Sequence, residues 1–128
     1  MKYLIDTVSL LWLANEESRV PPRVRAALLV PENDVWLSVI SVWEIAAKFS
    51  AGKLELPVSP RELVELGRRH LRMGLLDLSA EAAYAGAELP LIHKDPFDRL
   101  LIGQAVVHGL TVITPDRAFE RYGVATLW

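Results

Sequence analysis

The chain contains no cysteine. That excludes a disulfide framework, a thiolate metal site, thioredoxin-like redox chemistry and cysteine hydrolases. An excess of charge of one sign is also missing: 14 basic and 16 acidic residues leave a formal charge of −2. Attachment to nucleic acid through bulk positive charge is ruled out, although a local site is not. No apolar run is long enough to span a bilayer. The opening Met1-Lys2-Tyr3-Leu4-Ile5-Asp6 reaches an acid too early for a signal peptide. A soluble cytoplasmic protein with no membrane partner is the expectation. The chain has no repeat, low-complexity tract or linker, and its 128 residues have the length of one ordinary domain. A hydrophobic content of 52% excludes disorder.

What is present is an alternation of short apolar runs and helical patterns. Strands are predicted at Tyr3–Ile5, Val35–Leu37, Leu75–Leu78 and Thr111–Ile113, with a weaker one at Val124–Leu127. Helices are predicted at Val8–Ala14 and Pro22–Val30, from Ser41 to near Gly52, and from Ser59-Pro60 towards Met73. Ser79 caps a short helix, Asp95-Pro96 opens one that stops at Gly109, and Asp116–Tyr122 forms a last short one. Strands alternating with helices imply an α/β fold with a parallel sheet covered on both faces. The nearly continuous apolar strands agree with burial on both sides. Sites in such sheets form beyond the carboxyl ends of the strands, so the residues that follow each strand carry the functional signal.

Those residues are acids. Asp6 follows the first strand and Asp116 follows the fourth, while Glu44 and Asp98 sit near the starts of helices. Each has an ordinary capping role open to it. Asp6, Asp95 and Asp116 are placed to cap the helices after them. Glu44 stands three residues after Ser41, the spacing of a capping box, and four before Lys48, a favourable surface pair. Asp98 favours the positive end of its helix. Two observations argue for more. Asp98 shares a stripe with Leu101, Ile102 and Ala105, so its carboxylate faces inward and needs a partner. Four acids at one sheet edge also exceed what capping requires. Clustered carboxylates repel unless a cation compensates, and oxygen ligands suit Mg²⁺ or Mn²⁺. Such an ion serves phosphodiester hydrolysis. The three histidines show no metal-ligand spacing among themselves. His70 and His108 read as structural or surface residues, and His93 lies close to the Asp95 turn.

Four segments resemble the PIN domain family. They are Lys2-Tyr3-Leu4-Ile5-Asp6-Thr7 with Leu10-Leu11-Trp12, and Ser38 to Ala46 with Lys48 and Gly52-Lys53-Leu54. The third is His93 to Ile102 with Gln104-Ala105, and the fourth is Thr114, Asp116, Phe119 and Tyr122. The pattern is similar to the VapC-like toxins of type II toxin–antitoxin pairs. The resemblance implies a three-layer α/β/α fold with a central parallel sheet of four to five strands. It also implies a Mg²⁺- or Mn²⁺-dependent endoribonuclease acting on RNA of the tRNA or rRNA class, with a metal-activated water attacking the phosphodiester. It maps the catalytic and metal-holding acids onto Asp6, Glu44, Asp98 and Asp116. Asp95, Thr114 and Thr7 become accessory residues. A cognate antitoxin and a homodimer are the implied partners, with Trp12, Leu13, Val24 and Leu28 open equally to an interface and to a core role.

One position departs from the pattern: Val8 stands where relatives often carry histidine. A non-catalytic RNA- or protein-binding module of the same fold is therefore the alternative. A phospho-receiver fits less well, because Thr7 follows Asp6 and Ser79 follows Leu78 where that class expects acids. With the four site acids set aside, 12 acids face 14 bases. Arg68, Arg69 and Arg72 form the densest basic run, and Lys48 and Arg99 neighbour site acids; these are the candidate contacts for RNA or antitoxin.

Overall fold

The computed structural model describes residues 1–128. Its strands are β1 (Lys2–Ile5), β2 (Asp34–Ser38), β3 (Gly74–Leu76), β4 (Thr111–Ile113) and β5 (Thr126–Leu127). Its α-helices are α1 (Thr7–Asn15), α2 (Pro22–Leu29), α3 (Val39–Ser50), α4 (Pro60–Leu71), α5 (Ala80–Glu88) and α6 (Pro96–His108). Short 3₁₀ turns occupy Glu17–Arg19 and Arg117–Tyr122. The strands form one sheet in the order β3-β2-β1-β4-β5, and every pair is parallel. The chain winds outward from β1 to β3, then returns through α5 and α6 to β4 on the other side of β1. The switch point therefore lies between β1 and β4, where sheets of this kind place their sites. No helix is long and apolar enough to cross a membrane.

Side-chain alternation along the strands makes three layers. Tyr3, Ile5, Val35, Leu37 and Ile113 point to one face and pack with Leu10, Val24, Leu28, Ile45 and Leu63 from α1 to α4. Leu4 and Val112 point to the other face and pack with Leu101, Ile102 and Ala105 of α6 and with Phe119. Burying each such aliphatic side chain contributes roughly 1.5–3 kcal/mol. This is the α/β/α arrangement expected from the sequence.

Several boundaries differ from expectation. Helix α3 begins at Val39, not at Ser41, because Ser38 ends β2 and its Oγ accepts the Ile40 N–H at 3.0 Å. Ser41 is instead a buried residue inside the first turns. Glu44 then sits too far along the helix for the capping box that its spacing from Ser41 implied. Strand β3 begins at Gly74, opposite Trp36, and ends at Leu76 rather than Leu78. A Cβ at Gly74 would lie 2.6 Å from Trp36 Cζ3, so only glycine lets the indole cross the strand there. Helix α2 stops at Leu29 because Val30 precedes Pro31 and is held extended. The weak terminal strand shrinks to Thr126–Leu127, and the segment after Asp116 is a 3₁₀ turn.

Two of the four residues open to an interface or a core role belong to the core: Val24 and Leu28 are buried. Trp12 is partly buried, with its ring 5.7 Å from that of Trp128 and the Arg19 guanidinium 3.8 Å above it. Leu13 is also partly buried.

Helices α5 and α6 touch backbone to backbone. A Cβ at Gly86 would lie 2.8 Å from the Arg99 carbonyl oxygen, and one at Gly103 would lie 2.7 Å from the Gly86 nitrogen. Backbone atoms cannot yield as a flexible side chain can. Gly103→Ala should therefore lower unfolding stability by about 1–3 kcal/mol through overpacking, despite the better helix propensity of alanine. Urea denaturation measures this; an unchanged or higher midpoint would contradict the tight crossing.

Candidate active site

The carboxyl ends of β1 and β4 carry the acids. Asp6 follows β1 directly, and its amide N–H continues the ladder to the Ile113 carbonyl at 3.1 Å. Its side chain turns into the first turn of α1 and accepts the Ser9 N–H at 2.9 Å. The residue is 4% exposed. Burial raises its carboxyl above the ordinary aspartate range, and the nearby Asp116 adds to the rise. Hydrogen bonding from Ser9 and Thr114 partly offsets this. Asp6 therefore both caps a helix and presents a buried acid to the site.

The start of α6 supplies the next acids. Asp95 caps the helix by accepting the Phe97 N–H at 2.9 Å, with Pro96 in the first helical position. Asp98 lies in the first turn on the same face as the buried Leu101, Ile102 and Ala105. Its pKa is pushed up to about 6, chiefly by burial, with the charges of Asp95 and Asp6 contributing. His93 opposes the shift by hydrogen bonding and by charge. Asp116 follows β4, caps the last 3₁₀ turn through the Ala118 N–H at 2.9 Å, and donates its own N–H to buried Thr114 Oγ1 at 3.0 Å.

His93 completes the group. Its Nε2 lies 2.7 Å from Asp98 Oδ2 and 3.8 Å from Asp116 Oδ2. One ligand atom from each of the three residues falls within 4.8 Å of the others. The sequence reading placed His93 near the site without giving it a role. The informative spacing is that of His93 to Asp98, not that among the histidines.

Glu44 stands slightly apart. Its Oε1 lies 3.0 Å from Thr7 Oγ1, which is also 2.9 Å from Ser41 Oγ, and its Oε2 pairs with Lys48 Nζ at 2.7 Å. Thr7 thus ties α3 to the start of α1 beside Asp6. The basic candidates are largely engaged. The Arg99 guanidinium donates to the carbonyls of Ala87, Leu89 and Pro90 at 3.2, 2.8 and 2.9 Å, so it fastens the loop before α6. Arg68 pairs with Glu65 at 3.4 Å. Arg68 and Arg69 lie in the last turn of α4, and Arg72 ends that helix with a left-handed φ of 52°. These three stand on a different element from the acids.

The donor set suits a hard divalent cation. No lysine or arginine comes within ion-pair distance of Asp6, Asp98 or Asp116, and their only cationic candidate is His93. Buried carboxylates without a fixed counter-charge carry a desolvation cost that an ion relieves.

The sequence profile of the PIN domain covers residues 3–125, and the chain belongs to the PIN domain family. No curated protein sequence matches it significantly. Among solved structures, it is similar to VapBC2 from Rickettsia felis bound to a fragment of promoter DNA. The TM-score is 0.75 at 19% identity over 99% of this chain and 98% of that one. DNA-bound VapBC from Salmonella typhimurium gives 0.72 at 22% identity, covering 99% and 97%. FitAcB from Neisseria gonorrhoeae gives 0.65 at 26% identity, covering 98% and 96%.

The environment of Asp98 sets a pH dependence. A carboxyl whose folded pKa exceeds its unfolded value stabilises the fold fully below the unfolded value, and the contribution is lost as pH rises through the folded value. For Asp98 the loss runs from about 3.8 to about 6. Asp98→Asn in metal-free buffer should therefore melt higher than the parent at pH 7, and the advantage should shrink as pH falls to 4. Thermal melts in EDTA across that range measure it. An advantage that grows on acidification would reverse the assignment.

Proposed function

We propose that this chain is a metal-dependent endoribonuclease and the toxin of a type II toxin–antitoxin pair. The observation that carries the reading is the meeting of Asp98 and Asp116 with buried Asp6 at the switch point, with no lysine or arginine to neutralise them. Membership of the PIN domain family supports nuclease chemistry, and the similar VapBC and FitAcB structures support the toxin assignment. Asp6, Asp98 and Asp116 are the residues that would hold Mg²⁺ or Mn²⁺, with Glu44 at the margin. Bound there, the cation supplies charge stabilisation at a phosphoryl centre and activates water. The chain's own part is positioning. Asp6 is fixed by its cap on α1 and Asp116 by its cap and the Thr114 turn. Asp98 is fixed by α6, and Glu44 by Thr7 and Lys48. Asp98, half-buried in the first turn of α6, is a carboxyl that a bound cation would hold ionised. RNA of the tRNA or rRNA class is the proposed substrate.

The alternative, a binding module without catalysis, rests on Val8 alone. One measurement separates the two. With Mn²⁺ the parent protein should cleave RNA, and Asp98→Asn should lose roughly 100-fold or more, the scale of losing a preorganised electrostatic group. An equal rate in both proteins, or no cleavage by the parent, would sink the nuclease reading.

The proposed antitoxin would dock away from the acids. An apolar cleft of about 460 Å³ lies between α1, α2 and α4, lined by Leu10, Leu13, Leu28, Leu29, Leu63 and Leu66 among others. It shares no residue with the acid cluster. Leu29 is 64% exposed and Leu66 is 38% exposed, so the cleft offers uncovered apolar surface. Arg68, Arg69 and Arg72 stand on the same helix, which fits docking of an apolar segment with acidic flanks better than RNA contact at the acids. Leu29→Glu should abolish co-purification with a co-expressed cognate antitoxin and leave RNA cleavage intact. Retention of the antitoxin at parental yield would place its binding elsewhere.

A further inference from the structure

We propose that His93 is a nitrogen ligand of the same site and that it turns the site's preference from Mg²⁺ towards Mn²⁺. This rests on the metal-dependent reading above and goes beyond it, because that reading requires carboxylates only.

The main chain around His93 is clamped from two sides. Its N–H donates to Tyr122 Oη at 2.6 Å. The Arg99 guanidinium holds the carbonyls of Leu89 and Pro90 just upstream, and Asp95 caps α6 just downstream. A backbone fixed in this way sets where the side chain starts, and the hydrogen bond to Asp98 directs the ring. It points at the acids, with Nε2 2.7 Å from Asp98 Oδ2 and 3.8 Å from Asp116 Oδ2. The ring is neither sealed nor free: its side chain is 27% exposed, so an ion arriving from solvent can reach it. The ligand atoms of His93, Asp98 and Asp116 span no more than 4.8 Å, which is compact enough for all three to serve one ion.

The donor chemistry then decides between ions. Mg²⁺ demands oxygen ligands and gives up its water reluctantly. Imidazole nitrogen suits transition metals, and Mn²⁺, though the weakest binder of the first-row series, combines a carboxylate preference with more tolerance of nitrogen than Mg²⁺ has. A site of carboxylates alone would accept Mg²⁺ readily. One imidazole among the carboxylates favours the ion that accepts nitrogen. The rival role for His93 is to orient Asp98 through the 2.7 Å hydrogen bond and never touch the ion, as an outer partner does.

Pulsed EPR of the Mn²⁺-loaded protein distinguishes these roles without measuring activity. Directly bound nitrogen should produce a ¹⁴N coupling in the parent protein, and His93→Gln, which keeps a hydrogen-bond donor near Asp98, should lose it. In calorimetry His93→Gln should weaken Mn²⁺ by roughly 10–100-fold, the scale of losing even an outer partner, while Mg²⁺ changes much less. Absence of ¹⁴N coupling in the parent, or equal weakening of both ions, would overturn the assignment and leave His93 as a positioning residue. Failure of both ions to bind the parent protein, with Asp98→Asn making no difference, would instead remove the metal-dependent reading itself. Mn²⁺ binding that needs Asp98 but shows no nitrogen coupling overturns only the role of His93.

Discussion

Everything at the site depends on one buried carboxylate. Asp6 stands at the end of the central strand, almost fully removed from water, and is surrounded by neutral donors rather than cations. An aspartate in such a place is costly, and the protein reduces the cost with a helix start. The N–H groups of the first turn of α1 point at Asp6, and the Ser9 N–H reaches its oxygen. The same arrangement is repeated twice nearby, with Asp95 at α6 and Asp116 at the last 3₁₀ turn. Capping and site formation, which compete as explanations when each acid is read singly, are therefore one device. Helix starts hold the carboxylates where the sheet edge brings them together.

Much of this arrangement was legible in the chain. Apolar runs located every strand, and the acids after the first and fourth of them marked the productive edge. The stripe of Asp98 with Leu101, Ile102 and Ala105 is present and leaves that carboxyl half-buried, 22% exposed, not sealed from water. Glu44 shows where local patterns mislead. Ser38 and Ser41 are both capable caps, and the choice between them is made by where β2 ends, a matter of sheet register that the local sequence does not carry. Gly74 shows the same effect: its place in a strand depends on the indole of Trp36, which lies far away in sequence. The backbone of His93 is held by Tyr122, and that contact has no signature in sequence spacing.

Arg99 is the clearest change of role. Adjacency to Asp98 made it a candidate for holding RNA, yet its planar fork gathers three backbone carbonyls of the segment leading into α6. Those hydrogen bonds tie the end of α5 to the loop before α6. Lysine, with a single point of charge, cannot span them. The residue beside Asp98 thus serves the loop that carries His93.

The strand order also bears on when the site can exist. Tyr3, Leu4 and Ile5 pair with Thr111, Val112 and Ile113, so the central strand waits for a partner more than 100 residues downstream. Closing so long a loop makes this pairing a late and slow event compared with local helix formation. A growing chain that has emerged only as far as α6 holds Asp6, Glu44 and Asp98 but has neither Asp116 nor the neighbour that completes the edge of β1. During synthesis the acid cluster remains in pieces, and it is assembled only when the last strands join the sheet.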